Sequence, residues 1–432
     1  MSIGDIIYRT CPFLCPPLRC AYQWYKWGVA SCGSLRRIRK NYEVVLQRLR
    51  TEARRRRLRV LFLFDENSKW KCQRVYELME KSTLFEPTIA LTKGDVDYEL
   101  THEEFVAKFN ANRDFCARRN LRYVEAYSCE RDEALDLSAF SPDIVFYPHT
   151  WQLPQRQEAL RVSQFALTCY VPYYVLFYDA PAMDSQRPLH QSVFRYFLLS
   201  DEWIRYFKRK SHGFMFAGEM VGTGHPILDL YKAGSAESGE LVIYAPHWSV
   251  PNKIKPSECY STFLHTGEII LDYAKKHPDV KWCFKPHPTL RKTLECCPGW
   301  TKERIDRYYG EWESLGVACY TGDYPELFRK SYAMITDCAS FLTEYSAMDR
   351  PLIHLVSGKS HFRPGRPTLP LLNSFYQVHR TEELVPMLDK IILRREDPNR
   401  EARQKAARDM NILDSHASEN ILRHLENLIL DG

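Results

Sequence analysis

Apolar residues in this chain fall into two patterns, and the change between them comes near residue 58. Before it, residues 34–57 place Leu35, Ile38, Tyr42, Val45 and Leu49 at alternating spacings of three and four, with basic residues filling much of the rest. That spacing predicts an amphipathic helix. After it, short unbroken apolar runs alternate with stretches of helical spacing. The runs at 58–64, 87–92, 121–127, 143–149, 167–175 and 194–200 predict strands, with helices at 70–82, 101–118, 154–166 and 201–210. A small polar stretch at 232–240 predicts a linker, after which the alternation restarts. Strands are predicted at 241–246, 280–286, 317–322, 332–336 and 351–356, and helices at 260–276, 301–314, 325–330 and 340–348. The tail from Thr381 predicts two more helices.

Near-continuous apolar strands alternating with helices are the mark of a parallel sheet covered on both faces. Two such series around a linker predict an α/β chain of GT-B-like architecture, with two doubly wound Rossmann-type domains facing a cleft. The expected division is a basic amphipathic and aromatic arm at 1–57, an acceptor domain at 58–231, a nucleotide-binding domain at 241–380 and C-terminal helices at 381–432.

Charge sharpens the reading of the arm. The 432 residues carry +6, but residues 1–60 hold fourteen Lys and Arg against three acids, +11, so the remainder is −5. A basic arm on a mildly acidic body fits an anionic membrane surface better than a nucleic acid, which draws basic residues along a cleft. With Trp24, Tyr25 and Trp27 just before it, the helix is expected to lie in a membrane interface. The other reading docks its apolar stripe on the body. No run of 18 apolar residues and no signal peptide are visible, so the expected location is cytoplasmic, peripheral on the inner face of the membrane. The 14 cysteines are scattered and read as reduced thiols. Cys11, Cys15 and Cys20 are poorly spaced for zinc, so no metal and no cofactor are expected; lipidation of one of them is open.

Ligands of parallel α/β sheets collect beyond the carboxyl ends of the strands. Each second-series strand ends there in a polar motif: "YAPHWS" with His247, "FKPHPTL" with Lys285 and His287, and "ITDCAS" with Asp337 and Ser340. Imidazoles, a lysine, a hydroxyl and a helix start suit a diphosphate. Asp337 has the alternative of capping the helix. Glu344, one turn after Ser340, is placed to reach ribose hydroxyls, or else to face solvent. There is no Gly-rich dinucleotide fingerprint and no Walker loop.

In this order and spacing, "YAPHWS", "FKPHP" and "ITDCASFLTEYSAMDRPLIHL" resemble the C-terminal half of the CDP-glycerol glycerophosphotransferases, which include wall teichoic acid and capsule-polymer enzymes. "VGTGHPILD" at 221–229 resembles the segment joining their halves. The resemblance implies a cytidine-diphosphate alditol donor, a lipid-linked glycan or polymer acceptor, and phosphoryl transfer with loss of CMP. It implies diphosphate contact for His287, and phosphate and ribose contact for Asp337, Ser340 and Glu344. Cys338-Ala339 stands where the wall polymerases carry an aromatic residue and a serine, and their first-half "WHG" motif, the seat of the presumed base, is absent. His149, in "VFYPHTW", and the segment 169–174 are the candidates in that region. The rival readings are a GT-B glycosyltransferase using a nucleotide-sugar and a non-catalytic membrane-associated assembly subunit.

Overall fold

The computed structural model describes residues 25, 31–150, 153–175, 188–211, 214–232, 239–251, 260–315, 324–358 and 364–431. Trp24, Trp27 and the thiols of Cys11, Cys15 and Cys20 lie outside these residues, as do most of the predicted linker and the predicted strand at 317–322. The chain divides into two compact units, one of residues 1–174, 180–226 and 417–432, the other of residues 175–179 and 227–416.

The first unit is built on a seven-stranded parallel sheet. Its members are β1 (Leu58–Phe64), β2 (Phe85–Leu91), β3 (Tyr123–Glu125), β6 (Ile144–Tyr147), β7 (Leu167–Tyr170), β8 (Arg195–Leu198) and β9 (Glu219–Gly222), in the order β3-β2-β1-β6-β7-β8-β9. A two-residue pair, β4 (Tyr127–Ser128) with β5 (Glu133–Ala134), stands apart from it. All of β1 except Arg59 is buried, as a central strand covered on both faces requires. The order reverses between β1 and β6, which opens a crevice at their carboxyl ends. Of the predicted helix at 154–166, only Ala159–Val162 is α-helical, preceded by a short 3-10 turn.

Helix α1 (Cys32–Glu52) belongs to this unit, and this corrects the membrane-interface reading of its apolar face. Leu35, Ile38, Tyr42, Val45 and Leu49 are all buried in the first core, together with β1, β2 and β7 residues. The Tyr42 hydroxyl meets Thr168 and donates to the Ser192 carbonyl at 2.6 Å. Much of the basic character is internal capping. Arg39 donates to the Phe216 carbonyl and Arg48 to that of Phe165, both at 2.7 Å. Arg50 reaches the Leu428 carbonyl at 3.2 Å, and Arg56 pairs with buried Asp143 at 2.6 Å. Burying five large side chains contributes on the order of 10 kcal/mol, more than screened surface charge provides. The exposed residue is a smaller basic face that includes Arg36, Arg37, Lys40, Arg54 and Arg55.

The C-terminal tail splits between the units. Residues 384–393 form one helix whose second half, Asp389–Leu393, is a π-turn, and Arg400–Asp409 forms another; both lie in the second unit. The last helix, Ala417–Leu430, returns to the first, where Glu419 pairs with Arg74 at 3.2 Å.

The second unit holds a five-stranded parallel sheet of β10 (Leu241–Ala245), β11 (Trp282–Phe284), β12 (Ser331–Thr336), β13 (Leu352–Leu355) and β14 (Tyr376–Val378), ordered β11-β10-β12-β13-β14. Its core is rich in aromatic residues: Phe284 stacks on Trp312 with ring centroids 5.1 Å apart, and Tyr244 lies beside both. The reversal falls between β10 and β12, so a crevice again lies beyond their carboxyl ends.

Candidate functional site

That second crevice gathers most of the expected residues. His247 follows β10, Lys285 and His287 follow β11, and Asp337 and Ser340 follow β12. Register brings them level: Tyr244 lies beside Phe284 and Ala245 beside Thr336. The strand ends are also tied to one another. The Thr336 hydroxyl donates to the Ala245 carbonyl at 2.6 Å, and the His287 N–H donates to the Pro246 carbonyl at 3.0 Å.

The two imidazoles lie with ring centroids 5.2 Å apart. The Thr289 N–H donates to His287 Nδ1 at 3.1 Å, and the Ser249 N–H donates to His247 Nδ1 at 3.2 Å. Each Nδ1 therefore carries a lone pair, and each neutral ring keeps its proton on Nε2. Burial, with the nearby Lys285 cation, lowers His287 to about 4; burial and then His287 push His247 well below the ordinary histidine range. At neutral pH the site thus holds two uncharged Nε2–H donors beside an ammonium. Lys285 is buried and passes over the rings of Phe341 and Tyr324 at 5.3 and 5.5 Å from their centroids, which screens it from water and directs its charge.

Asp337 is buried, and four protein donors meet its carboxylate. Oδ1 accepts from the His247 N–H at 2.6 Å; Oδ2 accepts from the Thr262 N–H at 2.7 Å, the Ser261 hydroxyl at 2.8 Å and the Thr262 hydroxyl at 3.2 Å. Burial raises its pKa against these bonds. Helix α2 (Phe263–Lys276) begins directly after them. Ser340, half-buried at the start of the short helix α3 (Ala339–Tyr345), lies 3.3 Å from the Cys338 thiol. Glu344 does not face solvent. It is buried and accepts from the Tyr231 hydroxyl at 2.7 Å.

His149 lies in the first unit, past β6, and is wholly buried. Its Nε2 is 3.2 Å from Asp65 Oδ2, and Lys69 Nζ is 2.5 Å from the same oxygen. Burial works to raise the Asp65 pKa, but the His149 and Lys69 contacts outweigh it and hold the carboxyl below the usual carboxylate range. A Cβ on Gly94 would overlap that carboxylate, so the close approach needs glycine. Asp65, Asp95 and His149 place ligand-type atoms within 4.8 Å of one another, a group the sequence reading did not anticipate. Lys69 Nζ, 3.6 Å from Asp95, already supplies positive charge there, so these residues do not fit a resident metal ion.

No known family profile matches the chain, and no curated protein does. Solved structures do. The chain is similar to the UDP-GlcNAc 2-epimerase of Neisseria meningitidis bound to UDP-GlcNAc, with a TM-score of 0.52 and 14% identity over 85% of this chain and 99% of that one. It is also similar to the wall teichoic acid polymerase TagF soaked with CDPG, with a TM-score of 0.51 and 12% identity over 92% of this chain and 94% of that one. The fold is GT-B-like. The α/β class and the two Rossmann-like units expected from the strand pattern are therefore borne out.

Sequence reading missed Asp65, Lys69, Tyr260, Ser249, Ser261 and Thr262. Asp65 left a signal, since it follows the first strand as His149 follows β6. Ser261 and Thr262 left none, because their partner Asp337 lies 76 and 75 residues downstream.

Proposed function

We propose that the chain is a transferase that moves glycerol phosphate, or a similar alditol phosphate, from a CDP-alditol to a hydroxyl of a membrane-linked glycan or polymer, releasing CMP. The observation that carries this reading is the pair of uncharged Nε2–H imidazoles, His247 and His287, beside buried Lys285 at the β10–β12 crevice. An acceptor oxygen forms a bond to the phosphorus that bears the alditol, and the phosphoanhydride bond to CMP breaks. Such chemistry depends on positioning and on neutralising charge. His287 is assigned as the catalytic donor to the phosphoryl oxygens, His247 and Lys285 as diphosphate ligands, and the Ser340 hydroxyl as a further donor. His149, backed by Asp65, is retained as the candidate general base of the first unit. Glu344 is assigned a supporting role under the site through Tyr231. No cofactor and no nucleic acid enter this reading.

A nucleotide-sugar donor is the second reading, because a diphosphate site serves both chemistries and a structure of similar fold holds UDP-GlcNAc. The experiment is to incubate the protein with CDP-glycerol, CDP-ribitol or UDP-GlcNAc, with and without a lipid-linked acceptor. CMP release from a CDP-alditol supports the first reading. UDP release alone transfers the assignment to the second, and no release from any donor supports the non-catalytic subunit.

Among the described residues no helix is long and apolar enough to cross a membrane. Peripheral contact with the anionic inner leaflet is assigned to the exposed basic face that includes Arg36, Arg37, Lys40, Arg54 and Arg55, through charge alone. Replacing these five by serine should release the protein from phosphatidylserine vesicles at low salt, each charge contributing about 1 kcal/mol. Unchanged co-sedimentation removes this surface from the reading.

A further inference from the structure

We propose that Asp337 is a positioning residue whose carboxylate clasps the loop after β10 to the start of α2, and so sets the place of the His247 imidazole beside His287. Its importance for nucleotide binding rests on the diphosphate reading above; the clasp itself rests on geometry alone.

Two chain segments end on one carboxylate. His247 comes in from β10, and Ser261 with Thr262 opens the way into α2. They are joined a second time where the Ser261 N–H donates to the Ser249 carbonyl at 3.2 Å. Tyr260, immediately before the clasp, stacks on His247 at 4.7 Å and 29°, with its hydroxyl 3.4 Å from Nε2. His247 thus has Tyr260 on its ring, Ser249 at Nδ1, and His287 alongside. The clasp holds the Tyr260 and Ser249 segments together around it.

A carboxylate suits this place because all four partners donate. An amide cannot accept on both sides. In Asp337→Asn the amide oxygen turns to the three donors of Ser261 and Thr262, and the NH2 then faces the His247 N–H. The substitution therefore strikes the His247 loop in particular.

The test has two arms. CDP and UDP affinities are measured by calorimetry for wild type, Asp337→Asn, His247→Ala and the double variant. Asp337→Asn should weaken binding about tenfold or more, the loss expected for a charge-assisted hydrogen bond. In the His247→Ala background the same change should cost less than about twofold, since the effect travels through that ring. Additive losses, or an unchanged affinity in Asp337→Asn, overturn the proposal.

The second arm needs no ligand. NMR should show the His247 ring resonances shifting in Asp337→Asn, because the clasp that places the ring is lost. His354 of β13, which burial lowers to about 4, should not move. A fixed His247, or equal movement of both rings, overturns the clasp. If wild type binds neither nucleotide, the diphosphate reading falls and this arm alone decides the clasp. If Asp337→Asn does not fold, Ser261→Ala with Thr262→Val keeps the backbone donor and should show a smaller shift of the same sign; no shift overturns the proposal.

Discussion

The two sheets end in crevices of the same construction but with different arrangements of polar groups. Past β1 and β6, Asp65 is enclosed by Lys69 and His149, and all three are buried. Past β10, β11 and β12, the carboxylate of Asp337 is turned inward to neutral N–H and O–H groups. His247, His287 and Lys285 gather past the same strand ends, with the two imidazoles 5.2 Å apart. Topology places a crevice in both units, and the diphosphate proposal rests on the second. A buried ion pair and a carboxylate held by neutral donors arise from the same strand-end positions, and which one forms depends on where the carboxylate finds its partners.

The largest expected effect removes the support of the first sheet. Deleting residues 1–57 strips five buried side chains and the Arg56–Asp143 pair from its core. The loss, on the order of 10 kcal/mol, matches or exceeds the stability of ordinary domains. The first unit should lose its cooperative unfolding transition in denaturant, and a truncated protein with wild-type unfolding would show that α1 is a detachable arm.

Next is Asp65→Asn, which leaves Lys69 and His149 without their shared anion. Breaking a buried pair from one side costs about 3–5 kcal/mol. Urea unfolding should show that loss in the first unit, with CDP affinity in the second unchanged; a drop in CDP affinity would mean that the two crevices are not independent.

His287→Ala should lower CMP release about 100-fold, as loss of one preorganised donor to a reacting oxyanion does, while circular dichroism stays that of wild type. Near-normal turnover would remove His287 from the mechanism. Ser340→Ala should weaken CDP binding about tenfold, through one hydrogen bond to a charged group. Unchanged calorimetric affinity would place the phosphate elsewhere in the crevice.

The smallest effect is one of pH. His287 and His354 are lowered to about 4, and His247 well below its ordinary range, all from an ordinary 6.5 and chiefly by burial. Between about 6.5 and 4 the unfolded chain takes up protons before the folded one. The contribution of these rings is therefore complete above 6.5 and declines as pH falls. Asp337, raised above 3.8 by burial, takes up its proton in the folded state first and so works against that decline. Thermal melts from pH 7.5 to 4.5 should show the histidine decline, and CDP should reduce it only while its diphosphate is bound. A melting temperature independent of pH in that window would mean that these rings are not buried in neutral form.

Strand-end chemistry was legible because it is local. The runs before His247, His287 and Ser340 announce strands, strands of a parallel sheet share an edge, and residues just past them converge whatever the loops do. The stripe of α1 was legible too, since spacing fixes which residues share a face. What covers that face was not, because periodicity is the same whether the partner is a lipid or a sheet. Tertiary structure decided it for the sheet, where shape-matched packing and carbonyl acceptors for Arg39, Arg48 and Arg50 were available. It likewise turned Glu344 inward to Tyr231, and gave Asp337 to Ser261 and Thr262. A carboxylate's task depends on which donors arrive from distant segments, and a linear spacing carries no record of contacts made 75 or 113 residues away.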